Sequence, residues 1–311
     1  MIKLDGVQHC FDDNETLFLA RELESIEETL YQWEEKELKY RALIPVSNED
    51  SPGADTITYR MITMIGMAKI IANYSDDLPR SDAITREYSQ NVKTVGTSFG
   101  YNTQEIRAAA LANKPLDRIK ADSARRAVRE KENRIVWTGD DSHGIIGFLN
   151  NPNIPVIAAP AGVGGTTWVL KTADEILGDV ALMVSTGRTQ SKGIHSGDTL
   201  LLPITQHTDI TTRPRATNSD TTIAQFILQN AAYGIKQIDW LDELQNAFVG
   251  GTKDGAVLYE KNPRVISNRI PLEMVTHPAQ ERGLEFIVPV EARNGGVIIR
   301  YPLACLFMTG I

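Results

Sequence analysis

The run TITYRMITMIGMAKIIA, residues 56–72, constrains this chain more than any other segment. Read as a strand, its side chains alternate between two faces. Ile57, Tyr59, Met61, Thr63 and Ile65 fall on one face, and Arg60, Ile62 and Met64 on the other. Both faces carry apolar groups, so the segment needs cover on two sides. A lone two-stranded hairpin is marginal in water, and an exposed apolar strand invites association. Either the body of the protein covers this segment or another molecule does.

A chain of 311 residues can build one large or two modest domains. Apolar residues make up 42% and charged ones 23%, as in an ordinary folded soluble protein. No apolar run approaches the roughly 20 residues of a membrane helix. The start, MIKLDGVQHCFDDNE, lacks the apolar stretch of a signal peptide. Cys10 and Cys305 alone make neither a disulfide framework nor a zinc site, which fits synthesis in a reducing cytosol. Cys305, inside YPLACLFM, reads as a small core residue. The net charge of −8 argues against a general nucleic-acid binder but allows a protein that stands near DNA without gripping it.

The rest of the chain divides by periodicity. Residues 14–39 read as an amphipathic helix, with Leu23, Ile26, Leu30 and Trp33 on its apolar face and seven glutamates opposite, from Glu22 to Glu37. That acidic face is either a solvated surface or part of an arm that docks on a neighbouring subunit. ALIPVS, 42–47, reads as a strand, and 84–100 as a second extended region. Asn102 followed by Glu105 marks a helix start. The helix runs to about Arg134 with a break expected at Asn113–Lys114, before Pro115. From Thr103 to Arg134 it carries nine Lys/Arg against five Asp/Glu, including Arg118, Lys120, Arg125, Arg126 and Arg129. These are either a solvated helix face or a phosphate-directed contact with nucleic acid. No aromatic interleaves them, so base stacking is not expected. After the turn-rich WTGDDSHGIIGFLNNPNIP, strands and helices alternate. Strands are expected at 154–161, 198–204 and 235–241, and helices at 166–187 and 221–232. Near the end, Arg293-Asn294-Gly295-Gly296 predicts a type I′ hairpin joining two strands.

Chemistry is hard to find. AGVGGTT, 161–167, lies between a strand and a helix but has neither the Walker lysine nor the dinucleotide-fold spacing. His143 beside Asp140 and Asp141, and His207 with Asp209, could each form a corner of a metal site, but both lie in polar loops. No G-x-S-x-G elbow and no catalytic pair of carboxylates is present. The expectation is a protein that is not an enzyme, with no cofactor, no metal and no membrane partner.

The order of parts then carries a resemblance. It runs from acidic helix and extended hairpin through long helix, Gly-Asp turn and compact domain to terminal strands. This resembles the Hong Kong 97-type fold of tailed-phage major capsid proteins. KENRIVWTGDDSHGIIGFLN is similar to the end of that family's spine helix, through Glu132, Gly139, Asp140, Gly147, Leu149 and Asn150. IANYSDDLPRSD and RNGGVIIRYPLACLFMTGI resemble the linker after the extended loop and the last strands of one phage subfamily. The resemblance implies an α+β fold with an N-arm at 1–40, an extended loop at 41–80, a peripheral domain at 81–150 and 265–311, and an axial domain at 151–264. It implies pentamers and hexamers of this chain in an icosahedral shell around double-stranded DNA, made in the bacterial host cytoplasm and located in the virion. It leaves room for a portal, a separate scaffolding protein and decoration proteins. On it, Leu23, Ile26, Leu30, Trp33, Ile57, Tyr59, Met61, Ile62 and Met64 are the candidate contacts between subunits. Arg118, Lys120, Arg125, Arg126 and Arg129 are the candidate lumen-facing residues. Deleting 46–62 is expected to leave a soluble body that makes no shells. The competing readings are an encapsulin-like nanocompartment subunit and a soluble α/β hydrolase.

Overall fold

The computed structural model describes residues 35–70, 80–112, 116–216, 219–248 and 251–311. The chain divides into Met1–Glu37 and Leu38–Ile311, and every element below belongs to the second unit. The expected helix over 14–39, with Leu23, Ile26, Leu30 and Trp33, falls on positions of which only 35–39 are described. One helical turn, α1 (Tyr40–Leu43), stands where a strand was expected, and only β1 (Val46–Ser47) is extended. The turn puts Tyr40 and Leu43, three residues apart, on one buried side.

β2 (Thr56–Ile65) and β3 (Asp82–Asn91) pair antiparallel over their full length. The return strand of the hairpin therefore lies past residue 80, where the extended loop was expected to end. Val92 interrupts the predicted extended region, which continues as β4 (Lys93–Asn102). The long helix comes in two parts, α2 (Thr103–Ala112) and α3 (Leu116–Trp137). The expected break falls on 113–115, outside the described residues. β5 (Gly139–Asp140) and β6 (Ile145–Ile146) form the Gly-Asp turn.

The compact part follows with β7 (Val156–Ala158), α4 (Ala173–Gln190), β8 (Thr199–Leu202), α5 (Ile204–Thr212), α6 (Ile223–Gln229), β9 (Gln237–Trp240) and β10 (Gly255–Tyr259). α4 begins seven residues later than expected, because Thr172 and Glu175 form its capping box. Thr222 and Gln225 cap α6 in the same way. α5 was not foreseen: its sequence, ITQHTDITT, is poor in strong helix formers, and the burial of Gln206 and Ile210 holds it in place. The chain ends with β11 (Ile266–Arg269), β12 (Leu272–Thr276), β13 (Gln280–Arg282), β14 (Glu285–Asn294), β15 (Gly296–Ile299) and β16 (Cys305–Thr309).

One sheet, in the order β7-β16-β10-β8-β9, forms the centre. Its inner strands β16, β10 and β8 are buried on both faces, whereas the edge strands β7 and β9 are partly exposed. Leu201, Val257, Tyr259 and Phe307 face a core with Tyr40, Val136, Trp137 and Phe148. Leu200, Leu202, Ala256, Leu258, Leu306 and Met308 face another with Ile176, Val180 and Met183 of α4 and Ile223 and Ile227 of α6. β16 thus completes the sheet of the central segment, although 265–311 was expected to complete the peripheral domain. A second sheet runs β12-β14-β13 with β4 on the far side of β14, and α3 lays Ala124 and Val128 against Val290 and Ala292. A third is β1-β11-β15.

The predicted hairpin at 293–296 does not form. β14 pairs with β4, β12 and β13, whereas β15 pairs with β11. A type I′ turn needs positive φ at both central residues. Here Gly296 alone turns left-handed, at φ 73°, and the Gly295 N–H donates to the Arg269 carbonyl instead. The glycines make a corner between two sheets, where a Cβ on Gly296 would stand 2.6 Å from the Ile145 methyl.

Candidate assembly surface

Among the described residues the β2–β3 hairpin joins no other sheet. Its base is anchored in the body. Ile57 is buried against Val92 and Ile298. The Arg293 guanidinium meets Asp55 at 2.7 Å, and the Val92 N–H donates to the Asp55 carbonyl at 2.9 Å. One step out, Tyr59 stacks on Tyr88 with ring centroids 5.4 Å apart, and the Arg300 guanidinium lies 5.9 Å over the Tyr59 ring. Burial and the neighbouring Tyr88 hydroxyl raise the Tyr59 phenol above its ordinary range. On the opposite face Arg60 meets Glu87 at 2.7 Å in an exposed pair.

Beyond this point the hairpin is open and carries apolar groups on both faces. Ile62 is 65% exposed and Met64 88%, with Ile65, Ile84 and Tyr88 also exposed. The register puts Ile65 and Ile84 on one face and Ile62 and Met64 on the other. Of the five hairpin residues picked from sequence, Ile57 is therefore committed to the chain's own core, Tyr59 and Met61 are half-buried, and Ile62 and Met64 are open. Ile84 and Tyr88 were missed. The signal was there: in DAITREYSQN they fall on one face of a strand, but Arg86 between them hides the pattern. Leu23, Ile26, Leu30 and Trp33 lie outside the described residues.

The basic residues of the long helix are mostly engaged within the chain. Lys120 Nζ meets Glu105 at 2.6 Å, donates to the Gly100 carbonyl and lies over the Tyr101 ring. Asp122 receives Arg125 at 3.1 Å and Arg118 at 3.8 Å, and Arg126 meets Glu130 at 2.8 Å. Arg129 is exposed, near Glu273. Charge pairs along a helix surface of this kind contribute little stability.

The glycine-rich loop and the Asp140 and Asp209 corners are engaged by the chain's own groups. In the glycine-rich loop, the Val163 N–H donates to Glu175 Oε1 at 2.9 Å. The protein's own carboxylate thus sits where a bound anion would. The Thr172 and Val163 N–H groups hold that carboxyl below its usual range. Asp140 accepts from Lys131 at 2.7 Å and also bonds Ser142 and His143, which together push its carboxyl well below the carboxylate range. A groove of about 450 Å³ beside it, between α3 and β4, is lined by Lys93, Lys131 and His143 as well. Asp209, the supposed partner of His207, is taken by Arg213 at 2.9 Å. Among the described residues no three His, Cys, Asp or Glu side chains gather as a metal site needs, and no helix is long and apolar enough to cross a membrane.

A family model described as Major capsid protein matches residues 66–311. Comparison with curated protein sequences finds no match. Among solved structures, the capsid of Myoviridae phage XM1 superposes with a TM-score of 0.83 at 18% identity, covering 96% of this chain and 100% of that one. A chain of Mycobacterium phage Ogopogo gives 0.63 at 13% identity, covering 95% and 100%. The virus-like particle of Pyrococcus furiosus gives 0.56 at 11%, covering 86% and 90%. At these identities the likeness is one of fold, and the α+β capsid fold is the one the sequence resemblance implies.

Proposed function

This chain belongs to the major capsid protein family, and from that premise we propose that its β2–β3 hairpin is the docking element by which copies join into pentamers and hexamers of an icosahedral phage head. The protein is a structural shell subunit, and its place is the virion capsid. One observation carries the docking reading: a two-stranded sheet, anchored at its base, with apolar residues open on both faces of its outer half. Such a surface is costly in a lone molecule and favours a partner. Shell contacts that wrap neighbours commonly bury more than about 2,000 Å² in total. Ile62, Met64, Ile65 and Ile84 supply the apolar part on this side.

The finer features of the proposal are these. The extended loop begins near residue 41 and runs through Asn91, not 80, because its return strand ends there. The N-arm at 1–40 contributes Leu23, Ile26, Leu30 and Trp33 to the same neighbours. The axial part, 151–264, takes in β16. The remaining residues of 81–150 and 265–311 form the peripheral part. Double-stranded DNA is enclosed and touched non-specifically, with Arg129 and the outer faces of Arg118 and Arg125 the nearest candidates. Synthesis is in the bacterial host cytoplasm, and portal, scaffolding and decoration proteins are the further partners such a shell admits.

The test removes the hairpin's outer half and keeps its base. A deletion from residue 46 would tear out β1 and Ile57, so it cannot separate docking from folding. Removing 62–85 and joining Met61 to Arg86 through Asn-Gly keeps the Tyr59–Tyr88 stack and the Arg60–Glu87 pair. The shortened chain is expected to fold and to form no shells under negative-stain microscopy. Normal particles from it would sink the docking reading. A nanocompartment subunit would share this fold, and the contents of purified particles, DNA or cargo protein, tell the two apart.

A further inference from the structure

Three of the chain's seven methionines, Met61, Met64 and Met67, fall within residues 61–67. Met64 is 88% and Met67 79% exposed, while Met61 is half-buried. The other described methionines differ. Met183 and Met308 have no exposure and pack in the core behind the central sheet, and Met274 is half-buried beside the core that α3 forms with β14. Among the described residues the most accessible thioethers thus stand on the proposed docking surface. Among the described residues nothing of the chain's own covers it.

We propose that Met64 and Met67 form an oxidation site that gates assembly: peroxide converts them to sulfoxides in the free subunit, and the sulfoxides block docking on a second copy. The proposal rests on the docking reading above, which supplies the occupant. In the reaction a sulfur lone pair attacks one peroxide oxygen. An S–O bond forms and the O–O bond breaks. The departing hydroxide takes up the proton of the transferred OH, so each methionine yields one sulfoxide and one water. Sulfur loses two electrons and the peroxide gains them. No catalytic group is required, so access to sulfur sets which methionines react. The thioether is a flexible, apolar group suited to an adaptable contact. The sulfoxide carries a strong acceptor oxygen, and an acceptor buried without a donor opposes association. On the hairpin itself, Ala83 lies opposite Met64 and offers no side-chain donor.

The experiment compares full-length protein, reduced or treated with hydrogen peroxide, by light scattering and electron microscopy, with oxidised positions mapped by peptide mass spectrometry. Met64 and Met67 are expected to react first, and Met183 and Met308 last. The concentration needed for assembly is expected to rise by roughly tenfold or more, and methionine sulfoxide reductase should restore it. The double variant M64Q/M67Q, polar at both positions, should keep its circular dichroism and lose assembly without peroxide. A C10S/M274L variant should stay as peroxide-sensitive as the parent. Shells forming normally from protein oxidised at both positions, or from M64Q/M67Q, would overturn the proposal. So would loss of the peroxide effect in C10S/M274L. Shells from the chain lacking 62–85 would instead bring down the docking reading beneath it.

Discussion

Glu132 shows how much one buried side chain is asked to do. It lies on α3 with 1% exposure, and the Tyr40 hydroxyl donates to its Oε2 at 2.5 Å. Arg41 approaches the same oxygen at 3.5 Å and clamps Glu273 from β12 at 2.8 Å. Burial, helped by the Glu132 carboxylate, pushes the Tyr40 phenol up to about 12. Tyr40→Phe removes the short bond and leaves a buried carboxylate short of a donor. It should cost about 1–3 kcal/mol in urea unfolding. The Lys171–Asp179 pair is a second case, with side-chain exposures of 1% and 4% and the Trp168 indole N–H as a further donor at 2.9 Å. Lys171→Met strands a buried charge and should cost about 3–5 kcal/mol. The double change K171M/D179L should cost clearly less, since both charges then leave together. Asp140 adds a pH dependence. Lys131, Ser142 and His143 hold its carboxyl below the ordinary 3.8, with Lys93 on the same groove. A depressed carboxylate contributes stability above its unfolded value and loses it as pH falls through the folded one. The thermal unfolding temperature should therefore fall as pH drops below about 4, and Asp140→Asn should flatten that part of the curve.

At the scale of elements, the Gly-Asp turn shows what a sequence motif was reporting. Gly139 and Gly147 face each other so closely that a Cβ on Gly147 would meet the Gly139 nitrogen at 2.3 Å, and Gly139 is left-handed at φ 76°. Leu149 and Phe148 N–H groups then bond back to Trp137 and Val136 carbonyls at the end of α3. The turn thereby docks the spine helix on the core around Phe148. Gly147→Ala has backbone on every side and cannot be absorbed by a rotamer change. It should lower the unfolding free energy by several kcal/mol, read by denaturant titration. The motif was legible because glycine spacing survives in one dimension. The hairpin expected at 293–296 was not, for a related reason. Asn-Gly-Gly reports a backbone that must turn, but the turn's partner strands are chosen elsewhere. β4 offered β14 a ten-residue ladder, and β11 took β15. α5 failed in the opposite direction, since its weak propensity is overridden by the burial of Gln206 and Ile210.

At the scale of the whole molecule, the family match accounts for residues 66–311 and the described structure for what makes a shell subunit need its neighbours. The compact body covers the inner strands β16, β10 and β8 of its central sheet on both faces. The outer half of the hairpin has no such cover among the described residues. Expressed alone at high concentration, the chain should elute as a megadalton assembly or as capsomers, and raising salt should change this little, because the groups proposed to dock, Ile62, Met64, Ile65 and Ile84, are apolar. Elution as a monomer at all concentrations would contradict that.

The amino-acid sequence by itself determined the two-sided apolar run at 56–65, the paired halves of the long helix, the glycine turn after it and the order of parts. Each of these is a local pattern, carried by side-chain period, capping or backbone permission. Only the tertiary structure decided that Ile57 belongs to the body while Ile62 and Met64 stay open, that the hairpin returns through 82–91, and that the last strand enters the central sheet between β7 and β10. Strand partners far apart in sequence are selected by which apolar faces can be buried together. That choice is made among surfaces, and no window of sequence contains it.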